Sequence, residues 1–190
     1  MARDAHKPFP HDKYLYWFIQ WIPRWVEPNH ITLLRLILTP FVIIFLLYEN
    51  YDVGVPLFIF TALTDAVDGT LARMRKQVTP WGIFYDPVAD KILIGSVVLL
   101  VVIQHINFYI AIGMVAVELM LIIGGWYRRR KTHIESANIW GKIKMILEVI
   151  GVLCLLIALW SGVDLFVQIS NGTLIVALLF AIVSLLTYSL

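Results

Sequence analysis

Residues 53–72 read VGVPLFIFTALTDAVDGTLA. A helix crossing a bilayer takes about 20 mostly apolar residues, and this stretch supplies that length while carrying two carboxylates, Asp65 and Asp68, toward its end. Five other apolar stretches accompany it, at about 31–48, 87–104, 107–127, 141–162 and 172–189. None alternates apolar with polar residues as a barrel strand must, so all six are expected to be membrane-spanning helices. Composition agrees: the 190 residues are 60% hydrophobic and 15% charged, with a mean hydropathy of +0.82, far from the soluble average. Upstream, Tyr14 to Val26 (YLYWFIQWIPRWV) mixes aromatics with Arg24 and is too short to cross. That is the pattern of a helix lying among lipid headgroups. The expected fold is all-α, a polytopic membrane protein of six transmembrane helices with an N-terminal interfacial amphipathic helix. Residues 1–190 are expected to form a single domain, with 1–30 as its cytoplasmic or interfacial N-terminal segment.

Basic residues orient the bundle, because short Lys/Arg-rich loops stay in the cytoplasm. The connectors near 49–52, 105–106 and 163–171 hold no Lys or Arg. The opposite side takes all fifteen: Arg3, Lys7, Lys13, Arg24, Arg35, Arg73, Arg75, Lys76, Lys91, Arg128, Arg129, Arg130, Lys131, Lys142 and Lys144. Both termini are therefore expected in the cytoplasm. The first thirty residues lack the apolar core and cleavage site of a signal peptide. A net charge of +2 is too small to suggest nucleic acid, and the lone Cys154, inside an apolar run, reads as a small hydrophobe.

Six acids fall inside the apolar stretches or at their rims: Asp65, Asp68, Asp86, Asp90, Glu118 and Glu148. Each costs at least ~2.5 kcal/mol in hydrocarbon, so intramembrane acids face the protein interior and mark function. At ~100° per residue, Asp65, Asp68, Gly69 and Ala72 share one helix face, and Asp86 and Asp90 share another. Both pairs lie at the cytoplasmic end, and a tight connection, with Gly82 permitting a sharp turn, would bring the two faces together. Converging carboxylates repel unless cations join them. Oxygen-only donors suit Mg²⁺ or Mn²⁺, and the lack of Cys and His among them argues against Zn²⁺. The residues alone leave two further readings open: a proton or cation pathway, and a structural cluster paired with Arg73 and Lys91.

The segment from Asp65 to Asp90, DAVDGTLARMRKQVTPWGIFYDPVAD, spells D-x-x-D-G-x-x-A-R, then eight residues, then G-x-x-x-D-x-x-x-D. It resembles the signature of the CDP-alcohol phosphotransferase family at every specified position. Pro28-Asn29-His30-Ile31-Thr32-Leu33-Leu34-Arg35 is similar to the P-N-x-I-T-x-x-R that leads into the first span of phosphatidylglycerophosphate synthases, and Asp86 to Lys91 to their D-P-x-A-D-K. Gly141-Lys142-Ile143-Lys144 matches the start of their G-K-x-K-T-x-x-Q. Met145 and Glu148 replace its Thr and Gln, and Val117 stands where an Arg commonly precedes the counterpart of Glu118.

The resemblance implies a two-metal centre, Mg²⁺ or Mn²⁺, held by Asp65, Asp68 and Asp86, with Asp90 at its edge as the base that activates the acceptor hydroxyl. It implies nucleotide contacts from Asn29, Thr32, Asp65, Asp68, Gly69, Ala72 and Arg73, the last gripping phosphate through its planar fork. A phosphorylated acceptor needs cations, and Lys142, Lys144 and Arg128, together with Glu118, are the candidate acceptor-binding residues. The implied reaction transfers the phosphatidyl group of CDP-diacylglycerol to glycerol 3-phosphate or a related polar alcohol, releasing CMP, at the cytoplasmic face of a multi-pass membrane homodimer. A cardiolipin synthase-like activity or an inositol phosphate or serine acceptor are alternatives within the same chemistry. A cation or proton transporter, the reading from another class, would need polar residues across the whole bilayer width, whereas these acids occupy the cytoplasmic half.

Overall fold

The computed structural model describes residues 17, 19–23, 25–75, 77, 79–129 and 139–189. Arg3, Lys7, Lys13, Arg24, Lys76, Arg130 and Lys131 lie outside the described residues, as do the side chains of Arg128 and Arg129. Among the described residues there are helices and turns but no strand. The helices are α1 (Pro28–Leu47), α2 (Tyr51–Arg75), α3 (Pro80–Val97), α4 (Phe108–Arg129), α5 (Ile139–Ser161) and α6 (Asp164–Ser189). Beyond α3 the chain passes through a π-helical turn, Val98–Val102, and a last α turn, Ile103–His105. Five stretches are long and apolar enough to cross a bilayer: Pro28–Leu47, Tyr51–Arg75, Val88–His105, Ile139–Ser161 and Asp164–Thr187. A shorter apolar helix, Phe108–Gly124, forms most of α4. The protein is thus an all-helical polytopic membrane protein.

Three boundaries differ from the sequence expectation. First, α3 begins at Pro80 rather than near 87. Proline is pre-organised for the first helical turn, and Thr79 caps that turn by accepting the Gly82 N–H at 3.0 Å. Gly82 is therefore inside a helix and makes no sharp turn. Second, α6 begins at Asp164, so the connector expected at 163–171 shrinks to Gly162 and Val163. Gly162, at φ 71°, takes the left-handed conformation that ends a helix cheaply, and an acidic residue suits the next helix's N-terminus. Third, the N-terminal helix does not run to Val26. Trp17 and Ile19 are helical, but the chain turns at 20–22, because the residue before Pro23 is steered out of the α region.

Residues up to Leu93 and from Ile94 onward form two compact units. In the first, α1 and α2 pack closely at the Glu49 turn, where a Cβ on Gly54 would lie 2.9 Å from the Leu46 side chain. At the other end Ile19 is buried with Ile31 and Leu71, and Ile22, Val26, Val67 and Met74 pack around them. Arg75 fixes this N-terminal strap, donating to the carbonyls of Ile22, Pro23 and Val26 at 2.6, 3.2 and 2.7 Å. Trp17, Trp21 and Trp25 point outward, each more than 70% exposed. In the second unit α5 lies close against α6. A Cβ on Gly151 would meet Leu174 at 2.7 Å, and the Ser170 hydroxyl donates to the Gly151 carbonyl at 2.7 Å.

Candidate active site

The first unit holds a polar cluster built by three helices. From α1, spacings of three and four residues place Thr32, Arg35 and Thr39 on one buried stripe of an otherwise apolar helix. From α2, Thr61, Thr64 and Asp68 form the matching buried stripe, with Asp65 beside it. From α3 comes Asp86.

Arg35 is the hub, its side chain fully buried. Its Nη1 donates to Asp65 Oδ1 at 2.8 Å, its Nη2 to Asp68 Oδ2 at 2.6 Å, and its Nε to Thr64 Oγ1 at 3.3 Å. The Thr32 hydroxyl lies 2.7 Å from Asp86 Oδ1 and 3.2 Å from Asp68 Oδ2, so carboxylates from α2 and α3 converge on a single hydroxyl of α1. Asp68 is 2% exposed, whereas the Asp65 side chain is 48% exposed. Burial pushes the Asp86 carboxyl above its ordinary range; the Thr32 hydroxyl and Arg35 oppose that shift, and the charge of Asp65 adds to it.

A second ring of oxygens surrounds Gly82. The Thr79 hydroxyl donates to Asn29 Oδ1 at 2.9 Å. A Cβ on Gly82 would stand 3.3 Å from Thr79 Oγ1 and 3.4 Å from both Asn29 Oδ1 and Asp86 Oδ2. The missing side chain is what lets these oxygens crowd one helix surface. On α2, the tip of Arg73 lies over Gly69, 3.3 Å from where a Cβ would be, and its Nη2 donates to Thr70 at 3.3 Å. Arg73 thus folds back along its own helix, covering the small-residue surface formed by Gly69 and half-buried Ala72. Asp90 sits one turn past Asp86 and is half-buried.

The sequence expectation placed Asp65, Asp68 and Asp86 together, and the structure brings them together with Asn29 and Thr32 close by. It also supplies what the sequence reading left aside. The sequence places Arg35 only in the expected cytoplasmic charge set and the α1 motif, yet it binds two of the three aspartates. The signal that could have found it is the polar stripe at 32, 35 and 39. The donor set is all oxygen and carries more negative than positive charge, which suits a hard divalent cation. The cluster as it stands is organised by Arg35 and Thr32. Among the described residues, no three His, Cys, Asp or Glu side chains are arranged to hold a metal ion.

The expected acceptor residues belong to the second unit. Lys144 is buried on α5 and pairs with Glu118 of α4 and with Glu148 one turn further along α5. Lys142, on the same helix, is exposed. Arg128 lies near the end of α4, its side chain outside the description.

A family model described as CDP-alcohol phosphatidyltransferase matches residues 25–187. The chain is 31% identical over 166 residues to the CDP-diacylglycerol--glycerol-3-phosphate 3-phosphatidyltransferase of Aquifex aeolicus, an overlap of 86% of this chain and 93% of that protein. It is 32% identical over 169 residues to the protein of the same name from Wigglesworthia glossinidia brevipalpis, covering 85% and 91% of the two chains. A shorter match, 43% identical over 88 residues and 45% of each chain, is to the Pseudomonas fluorescens protein of that name.

Proposed function

This chain belongs to the CDP-alcohol phosphatidyltransferase family, and on that premise we propose that it transfers a phosphatidyl group from CDP-diacylglycerol to glycerol 3-phosphate, giving phosphatidylglycerophosphate and CMP. The observation that carries the reading is the convergence of Asp68 and Asp86 on the Thr32 hydroxyl, with Asp65 and Asp68 gathered by Arg35. Two relatives matched over most of their length bear the name of this activity.

Asp65, Asp68 and Asp86 would hold the two-metal centre, Mg²⁺ or Mn²⁺. When bound the ions would supply neutralising charge to the diphosphate and to the departing phosphate. The protein's own residues do the rest. Arg35 and Thr32 fix the rotamers of the three carboxylates, so the site is organised before substrate arrives. Gly69 and Ala72 offer a surface low enough for the nucleotide to lie on, once the Arg73 tip swings from Gly69 to the phosphates. Asn29 and Thr32 line the same site from α1. The acceptor hydroxyl oxygen attacks the β-phosphorus; the bond from that phosphorus to the oxygen bridging the two phosphates breaks, and CMP carries that oxygen away. The hydroxyl proton passes to the Asp90 carboxylate. Lys144 is already paired with Glu118 and Glu148 within the second unit, so it holds position rather than offering free charge. The site faces the cytoplasm, the enzyme works as a homodimer, and the lipid donor reaches it from the bilayer.

A second reading stays within the same chemistry, with phosphatidylglycerol as the acceptor in a cardiolipin synthase-like reaction. The test is CMP release by the purified protein from CDP-diacylglycerol with Mg²⁺ or Mn²⁺ and a panel of acceptors. Release with glycerol 3-phosphate supports the first reading, and release with phosphatidylglycerol alone supports the second. No release with any polar alcohol would sink both.

A further inference from the structure

The aspartate cluster contains a cation of its own. Arg35 is fully buried and cannot lose its proton at any working pH. Its fork is divided between two acids one turn apart on α2, and its Nε is steadied by Thr64. Such bonds between ions are short and about twice as strong as neutral ones. A lysine at this position would keep the charge but not the fork, because an ammonium is a point charge that cannot present three donors in one plane. Asp65, Asp68, Asp86 and Arg35 together carry a net of two negative charges, which leaves the cluster attractive to divalent cations.

We infer that Arg35 is the built-in counter-cation of the aspartate cluster: a positioning residue that keeps Asp65 and Asp68 together whether or not a divalent ion is present, and so makes the fold less dependent on metal. This rests on the reading that the aspartates hold a divalent ion. Removing one member of a buried ion pair leaves an uncompensated charge, the costly outcome. Without Arg35 the cluster would carry three negative charges, and a divalent ion would have to stabilise the fold itself. Binding to the folded state alone raises stability by mass action, so the protein lacking Arg35 should gain more from metal than the wild type gains.

The test is thermal unfolding of the detergent-purified protein, first in EDTA and then with saturating Mn²⁺, for wild type, Arg35→Gln, Arg35→Lys and Arg35→Gln/Asp68→Asn. In EDTA, Arg35→Gln should melt about 6–12 °C below wild type, with Arg35→Lys between them. Mn²⁺ should raise Arg35→Gln by at least about 4 °C more than it raises wild type. The double variant, which removes a charge of each sign, should recover at least half of the loss in EDTA. An Arg35→Gln deficit that is equal with and without Mn²⁺ would mark Arg35 as merely structural and overturn the inference. Failure of the double variant to fold when the wild type does would overturn it too. A wild type that does not respond to Mn²⁺ would sink the metal reading itself, whereas a responsive wild type with a parallel Arg35 deficit sinks only this inference.

Discussion

Two polar clusters sit in the apolar body of this protein, and they are built on opposite plans. In the first, one arginine faces three aspartates from two helices, and a threonine hydroxyl of α1 joins them. In the second, one lysine is enclosed by two glutamates. The Lys144 ammonium is a compact charge held by Glu148 at 2.5 Å and by Glu118. It ties α4 to α5. The Arg35 guanidinium spreads its charge over a plane and binds Asp65 and Asp68, while Asp86 is held by the Thr32 hydroxyl. Asp65 remains nearly half exposed. The difference separates a cluster that fastens helices from one that keeps negative charge in reserve for a ligand. Substitution of Lys144 should therefore cost stability, whereas substitution of Thr32 or of the aspartates should cost turnover first.

The largest effect on stability is expected from Lys144→Met, which leaves two carboxylates facing each other in an apolar helix pair. A loss of about 3–5 kcal/mol is the cost of breaking a buried pair. Adding Glu148→Gln should return part of it. Unfolding temperature measured in detergent checks both, and a Lys144→Met protein as stable as wild type would mean that the pairing holds nothing together.

Thr32→Val keeps the shape of the side chain but removes the hydroxyl shared by Asp68 and Asp86. A lost hydrogen bond to a charged group is worth about 1.5–3 kcal/mol, so CMP release should fall at least about tenfold. The melting temperature should change less than in Lys144→Met. Unchanged turnover would break the comparison, because the α1 hydroxyl would then have no part in organising the carboxylates.

Gly82→Ala should have the smallest effect. Its new methyl would press on Thr79, Asn29 and Asp86 at 3.3–3.4 Å, and side chains can give by a few tenths of an ångström. Overpacking on this scale costs about 1 kcal/mol, so a loss in turnover of about fivefold is expected. Steady-state CMP release at saturating CDP-diacylglycerol is the measurement.

Much of this was readable before any coordinates. Continuous apolar runs at spanning length announce membrane helices, and the D-x-x-D-G spacing puts Asp65 and Asp68 on one face by helix periodicity alone. Boundaries were less legible, for identifiable reasons. Residues 163–171 read as a connector, yet all but Val163 lie inside α6, which starts at Asp164. Pro80 reads as a breaker, yet it starts α3. Gly82 was expected to bend the chain, and instead it lets three oxygens approach a helix. Arg35 was the main omission among the site residues. A cation near a membrane rim ordinarily reaches for water, and the polar stripe at 32, 35 and 39, matched by the one at 61, 64 and 68 on α2, is what tells that this one turns inward. The pairing of Lys144 with Glu118, 26 residues away, depends on how α4 meets α5, which no local pattern encodes.

Whether the aspartates around Arg35 and Thr32 are where phosphate chemistry happens is decided by titrating Mn²⁺ into wild type and Asp68→Asn while following the free-ion signal by electron paramagnetic resonance. Saturable binding by the wild type is expected, lost in the folded Asp68→Asn protein, together with a fall in CMP release of about 10²–10³-fold. Equal Mn²⁺ binding by both proteins, with CMP release intact in the variant, would contradict that role for the aspartates.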